Sequence, residues 1–135
     1  MNEEIRILKI GTCPSLSGKS TLTYHICCKG KDICFHLVEN SGGGMFAKDW
    51  ISLEQVEVFL ASQEQPTTSS SLNALFKGKS INSGGFLLAI LRHEGLMENT
   101  EGQKRGYVRS DPTAFMTAIQ ALMTAKKDKP KKELV

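Results

Sequence analysis

The most constraining stretch of this chain is residues 24–38, where side chains alternate in character on both sides of a Gly-Lys pair. Tyr24, Ile26 and Cys28 fall on one face of an extended segment, His25 and Cys27 on the other. Beyond Gly30-Lys31, Ile33, Phe35 and Leu37 share a face, with Cys34, His36 and Val38 opposite. A period of two marks a strand with one buried face, and a glycine at the turn supplies the positive φ of a tight hairpin. The stretch therefore predicts an antiparallel β-hairpin with one apolar face. If Gly30-Lys31 are the central turn residues, Cys27 lies opposite Cys34 and His25 opposite His36.

Other elements follow around it. Residues 4–10 read as a strand ended by Gly11 and the loop 14–20, and 45–50 as another strand after the Gly-rich turn 40–44. Ser52-Leu53-Glu54-Gln55 has the form of a capping box, in which the Ser hydroxyl and the Gln side chain exchange hydrogen bonds with each other's backbone, so a helix starts there. Leu53, Val56, Phe59 and Leu60 form its apolar stripe. Residues 63–70 are polar and contain Pro66, which reads as a linker. Then come a short helix over 71–77, a break at 78–80, and a helix from Asn82 or Ser83 to Glu94 that Gly95 ends in the left-handed conformation. A two-stranded ribbon from Leu96 to Arg109 follows, and last a helix capped by Ser110 or Asp111 with Pro112 in its first turn.

The fold class expected is α+β: an antiparallel sheet of about four strands plus a capped helix over 1–62, a linker over 63–70, a helix-and-ribbon unit over 71–125, and a Lys-rich tail over 126–135. A chain of 135 residues with 40% hydrophobic residues has material for a true core. Its longest apolar run, Phe86 to Leu91, is far short of the roughly 20 residues of a membrane span. The acidic start, Met1-Asn2-Glu3-Glu4, has no secretory pattern, so a cytoplasmic setting is expected, with the four cysteines reduced. Charge is uneven: residues 1–64 hold 6 Lys/Arg against 8 Asp/Glu, and residues 65–135 hold 11 against 6. The tail supplies much of that excess and serves as a solvated end with nonspecific attraction for phosphate.

Three chemical motifs fall short. Gly18-Lys19-Ser20 ends like a phosphate-binding loop, but Cys13 stands where the first glycine belongs, and residues 21–26 favour a strand over the required helix. His25, Cys27, Cys34 and His36 are zinc-type ligands, yet four side chains on neighbouring strands approach a rectangle, not a tetrahedron. They read instead as a half-buried polar face covered by another strand or a second chain. No carboxylate is placed by the sequence to orient either imidazole for nucleophilic catalysis. No enzyme, cofactor or metal is expected.

The order of elements over 71–125, with the exit Arg92-His93-Glu94-Gly95-Leu96-Met97 and the ribbon closing at Arg105-Gly106-Tyr107-Val108, resembles the winged-helix branch of the helix-turn-helix class. That resemblance implies DNA binding, duplex rather than single-stranded. The contacts it implies are Lys77 and Lys79 before the helix, Asn82 and Ser83 at its start, Arg92 on it, and Lys104, Arg105 and Arg109 in the ribbon. The helix body is apolar on nearly every face, so phosphate contacts are expected over base reading. Residues 1–62 resemble the positive-coactivator type of single-stranded-DNA-binding domain, which implies a nucleic-acid role for Phe46, Lys48 and Trp50. The acidic balance of this half favours Trp50 as a core residue. The expected function is a non-enzymatic DNA-binding accessory or regulatory protein. The alternative is a protein-interaction module: a homodimer through the hairpin face, or an adaptor or inhibitor of a larger enzyme.

Overall fold

The computed structural model describes residues 5–42, 50–63, 66–76, 83–100 and 106–125. The chain is α+β. Its sheet takes the order β1 (Ile5–Pro14), β2 (Thr21–Lys29), β3 (Asp32–Asn40) and β4 (Ile51–Ser52), all antiparallel neighbours. The expected hairpin forms in the expected register, with Cys27 opposite Cys34, His25 opposite His36, and Gly30 at φ 63° in the turn. Tyr24, Ile26, Cys28, Ile33, Phe35 and Leu37 are all buried on the inner face.

β1 runs four residues past the expected end, through Gly11, and carries a bulge between Ile7 and Lys9. Leu8 is the extra residue, and a bulge of one residue reverses the facing of everything after it. Ile5 and Ile7 pair with Lys29 and Cys27 on the outer face, and Ile10 and Thr12 then pair with His25 and Thr23 on the same face. The inner side of β1 carries Arg6, Lys9, Gly11 and Cys13. Arg6 Nη2 donates to Cys28 Sγ at 3.1 Å, and Lys9 is ion-paired to Glu94 at 2.9 Å. The strand is thus inverted, with two cations toward the helices and three isoleucines toward solvent.

α1 (Leu53–Ala61) opens with the expected capping box: Gln55 N donates to Ser52 Oγ at 3.0 Å, and Ser52 N to Gln55 Oε1 at 2.9 Å. The short helix is displaced from 71–77 to α2 (Ser69–Leu72), followed by a 3₁₀ turn over Asn73–Phe76. α3 (Ser83–His93) ends as read from the sequence. Gly95 sits at φ 85°, Leu96 N donates to Leu91 O at 2.8 Å and Gly95 N to Arg92 O at 3.1 Å, the paired bonds of a Schellman stop. β5 (Met97–Asn99) and β6 (Tyr107–Arg109) form the antiparallel ribbon, and α4 (Thr113–Ala125) begins where Asp111 accepts from Thr113 N at 3.0 Å.

One hydrophobic cluster takes side chains from both halves of the chain, from Leu22, Tyr24 and Phe35 of the sheet to Leu72, Leu88 and Ile119 of the helices. Phe35 of β3 stacks on Phe115 of α4 with centroids 6.2 Å apart. α2 and α3 approach so closely that a Cβ on Gly84 would lie 2.4 Å from Ser69 O, which is why this position in α3 carries glycine. Among the described residues no helix is long and apolar enough to cross a membrane.

Candidate functional site

Two surfaces emerge from this framework. The first is built from the helices and the ribbon. Thr67, read as linker, pairs instead with β6: its N–H donates to Tyr107 O and Tyr107 N–H donates back to Thr67 O, both at 2.8 Å. The order in space is therefore α1, a one-residue strand at Thr67, α2 with its 3₁₀ turn, α3, and the β5–β6 ribbon.

The sequence-predicted contacts separate on this unit. Ser83 is 2% exposed at the start of α3, where Gly84 N donates to Asn73 Oδ1 at 2.8 Å. Arg92 is half-buried in the last turn of α3, with Nη1 at 3.5 Å from the Tyr107 hydroxyl. Arg109 is exposed at the end of β6 and ion-paired at 2.5 Å to Glu57 of α1. Arg92 and Arg109 are thus brought to the same ribbon strand, each with a partner inside the protein. Lys77, Lys79, Asn82, Lys104 and Arg105 lie outside the described residues, as do Phe46 and Lys48. Leu87 to Leu91 are all buried, leaving Gly85, Phe86, Arg92 and His93 as the accessible side of α3.

Beneath α3 lies a polar knot that sequence reasoning missed. Glu94, its side chain 6% exposed, accepts from the Tyr24 hydroxyl and holds Lys9. Gly11 makes this possible, because any Cβ there would lie 2.7 Å from Tyr24 Cζ. Burial, reinforced by the Glu94 carboxylate, pushes the Tyr24 hydroxyl far up, so it stays a proton donor. Burial also pushes the Cys13 thiol up to about 11, with Arg92 opposing and Glu94 adding to the rise. A neutral, buried thiol is a poor nucleophile. The Ser15–Ser20 loop closes on itself through Ser15 N to Ser20 O at 2.9 Å and runs into a strand, as the sequence indicates. It borders an open hollow of about 260 Å³ shared with Ser69, Gly85 and Phe86.

The second surface is the outer face of the sheet. Ile5, Ile7 and Ile10 are 45%, 52% and 64% exposed, and Trp50 is 41% exposed, so Trp50 is not the core residue expected. Its indole stacks on His36 with centroids 4.0 Å apart, and His36 meets His25 edge-on at 6.3 Å. Cys27 lies fully buried between these rows, and burial, with Cys34 and Cys28 beside it, pushes its thiol up to about 11. Cys34 is raised as well, by burial and then by Asp32. Among the described residues no three or more His, Cys, Asp or Glu gather closely enough to hold a metal ion. The sequence did carry a signal for the exposed isoleucines: the adjacent pair Ile7-Leu8 breaks the alternation of β1.

Compared with family models, curated proteins and solved structures, the chain matches none.

Proposed function

We propose that the protein is a non-enzymatic DNA-binding accessory or regulatory protein, whose helix-and-ribbon unit lies along duplex DNA and grips mainly its phosphates. The reading is carried by the reciprocal Thr67–Tyr107 bonds, which lay the segment before α2 beside the ribbon strand β6. A short helix, a longer helix and a two-stranded ribbon in that order, here α2, α3 and β5–β6, are the elements on which the resemblance to winged-helix domains rests. The apolar body of α3 supports phosphate contact over base reading, since few of its side chains reach solvent. The excess of Lys and Arg after residue 65 supplies the charge, with Lys77, Lys79, Lys104 and Arg105 as the contacts together with the tail. Free, largely buried cysteines fit a reducing cytoplasm.

Fluorescence anisotropy with a labelled duplex tests this reading. Binding is expected at about 50 mM salt and to weaken by orders of magnitude toward about 200 mM, as counterion release requires. Lys104→Glu with Arg105→Glu is expected to weaken binding at every sequence tried. Absence of any binding to duplex at low salt removes the proposal.

A further inference from the structure

We propose that Cys27 and Cys34 form a reversible oxidation site, closed into a cross-strand disulfide by a low-molecular-weight disulfide of the glutathione type. The inference stands on the β2–β3 hairpin alone and holds whether or not the chain binds DNA. All four cysteines of the chain lie among the described residues, and all are free thiols. Cys27 and Cys34 stand directly opposite each other on the outer face of the sheet. The other two have no cysteine across from them. Cys28 is opposite Ile33 on the inner face, where it accepts from Arg6, and Cys13 is opposite Leu22 at the far end of β1.

The hairpin sets the character of the bond. In a two-residue turn the closing pair, here Lys29 and Asp32, exchanges both backbone hydrogen bonds, and every second pair beyond it does the same, so Cys27 and Cys34 form such a pair. Its Cα atoms stand about 5.5 Å apart, inside the roughly 4.4–6.8 Å that disulfides span. Its Cβ atoms, also about 5.5 Å apart, must close by more than about 1 Å to reach the mean of about 3.8 Å in a bonded pair. Drawing the strands together loads the bond, and a loaded disulfide is readily reduced. The pair is suited to switching and not to permanent cross-linking.

Access sets the order of events. Cys34 is half-buried and Cys27 fully buried, so the oxidant meets Cys34 first. The Cys34 thiolate attacks one sulfur of oxidised glutathione, forming a mixed disulfide and releasing one reduced glutathione. Cys27 then gives up its proton and attacks the Cys34 sulfur; the bond to glutathione breaks, and a second reduced glutathione leaves with that proton. The two protein thiols lose two electrons and the glutathione disulfide gains them, so no further reactant is needed. Cys27 is closed to the reagent itself and is oxidised only through Cys34. Burial holds its thiol protonated, so this second step takes on the order of hours, not the minutes of a thiol titration.

The test is overnight incubation of the folded full chain in about 5 mM oxidised glutathione at pH about 8, then acid quench, alkylation in denaturant and mass analysis. The chain is expected to lose two hydrogens and to keep Cys13 and Cys28 as its alkylated thiols, and an excess of reduced glutathione is expected to restore all four. Cys28→Ala is expected to form the bond as the parent does, whereas Cys27→Ala is expected to stop at the mixed disulfide on Cys34. Should Cys27→Ala fail to fold, the parent chain in urea decides. In about 8 M urea, loops of nearly equal length close equally well, so Cys28–Cys34 is expected beside Cys27–Cys34. In the folded chain Cys27–Cys34 is expected to exceed it at least about tenfold, because only that pair shares a face. A folded chain that keeps its thiols, stops at the mixed disulfide, links Cys34 to Cys28 or to a second copy, or holds a bond that reduced glutathione leaves intact overturns the proposal.

Discussion

Gly11 lies directly beneath the phenol of Tyr24: the Cβ of any other residue would stand 2.7 Å from both Cζ and the hydroxyl oxygen. The ring cannot yield, because it is fully buried and its hydroxyl is held by Glu94. Gly11→Ala is therefore expected to cost about 1–3 kcal/mol, the range of overpacked cores, read from urea unfolding midpoints. Tyr24→Phe, which keeps the ring and removes a bond to a carboxylate, is expected to cost about 1.5–3 kcal/mol in the same measurement.

Gly84 and Gly85 are neighbours with opposite expectations. A Cβ on Gly84 meets the backbone of α2 and the 3₁₀ turn, at 2.4 Å from Ser69 O and 2.6 Å from Asn73 N, whereas on Gly85 it meets Ser69 Cβ at 3.3 Å. Gly84→Ala is expected to lower stability by at least about 2 kcal/mol. Gly85→Ala is expected to fall within about 1 kcal/mol of the parent, because the gain in helix propensity offsets a mild contact. Thermal unfolding of the two variants side by side checks the contrast.

Glu57 of α1 is ion-paired to Arg109 of β6. Glu57→Gln is expected to change stability by less than about 1 kcal/mol, since the pair is partly exposed. Under the DNA-binding proposal it adds one phosphate contact, steepening the slope of log affinity against log salt by about 0.9. An unchanged slope in the anisotropy titration would place Arg109 outside the interface.

Alkaline pH is expected to weaken the fold. Cys13 and Cys27 are each pushed up to about 11 from an ordinary 9.0, so the folded chain holds protons that the unfolded chain releases. Their contribution is complete below pH about 9 and is lost as pH rises toward about 11. Urea midpoints at intervals across that window check the sign, and Cys13→Ala with Cys27→Ala is expected to flatten the slope. At pH about 8 the buried thiols are expected to resist a disulfide reagent until the protein unfolds.

The β2–β3 hairpin, its register and the start of α1 were legible in the sequence because each depends on local chemistry: period-two alternation, a glycine at the turn, a Ser and a Gln three residues apart. The Gly95 stop on α3 was legible for the same reason. The strand β1 was legible but its bulge and its run to Pro14 were not, since a bulge is set by which side chains the helices accept: Lys9 goes inward to reach Glu94, 85 positions later in the chain. The pairing of Thr67 with Tyr107 has no local signal either. Of the candidate contacts, the sequence identified the cations Arg92 and Arg109 but gave no sign of Tyr107 and Glu57, which engage them across the fold.

The extra residue in β1 makes this strand unforgiving of length. Removing Leu8 would restore regular alternation, and whichever half of the strand shifted would turn over: either Arg6 would leave Cys28, or Lys9 and Gly11 would leave Glu94 and Tyr24. Peripheral strands ordinarily absorb small insertions and deletions cheaply. Here a one-residue change in length would exchange oily for ionic groups along a whole margin of the molecule, so variants of this chain should differ in β1 by substitution and not by indel.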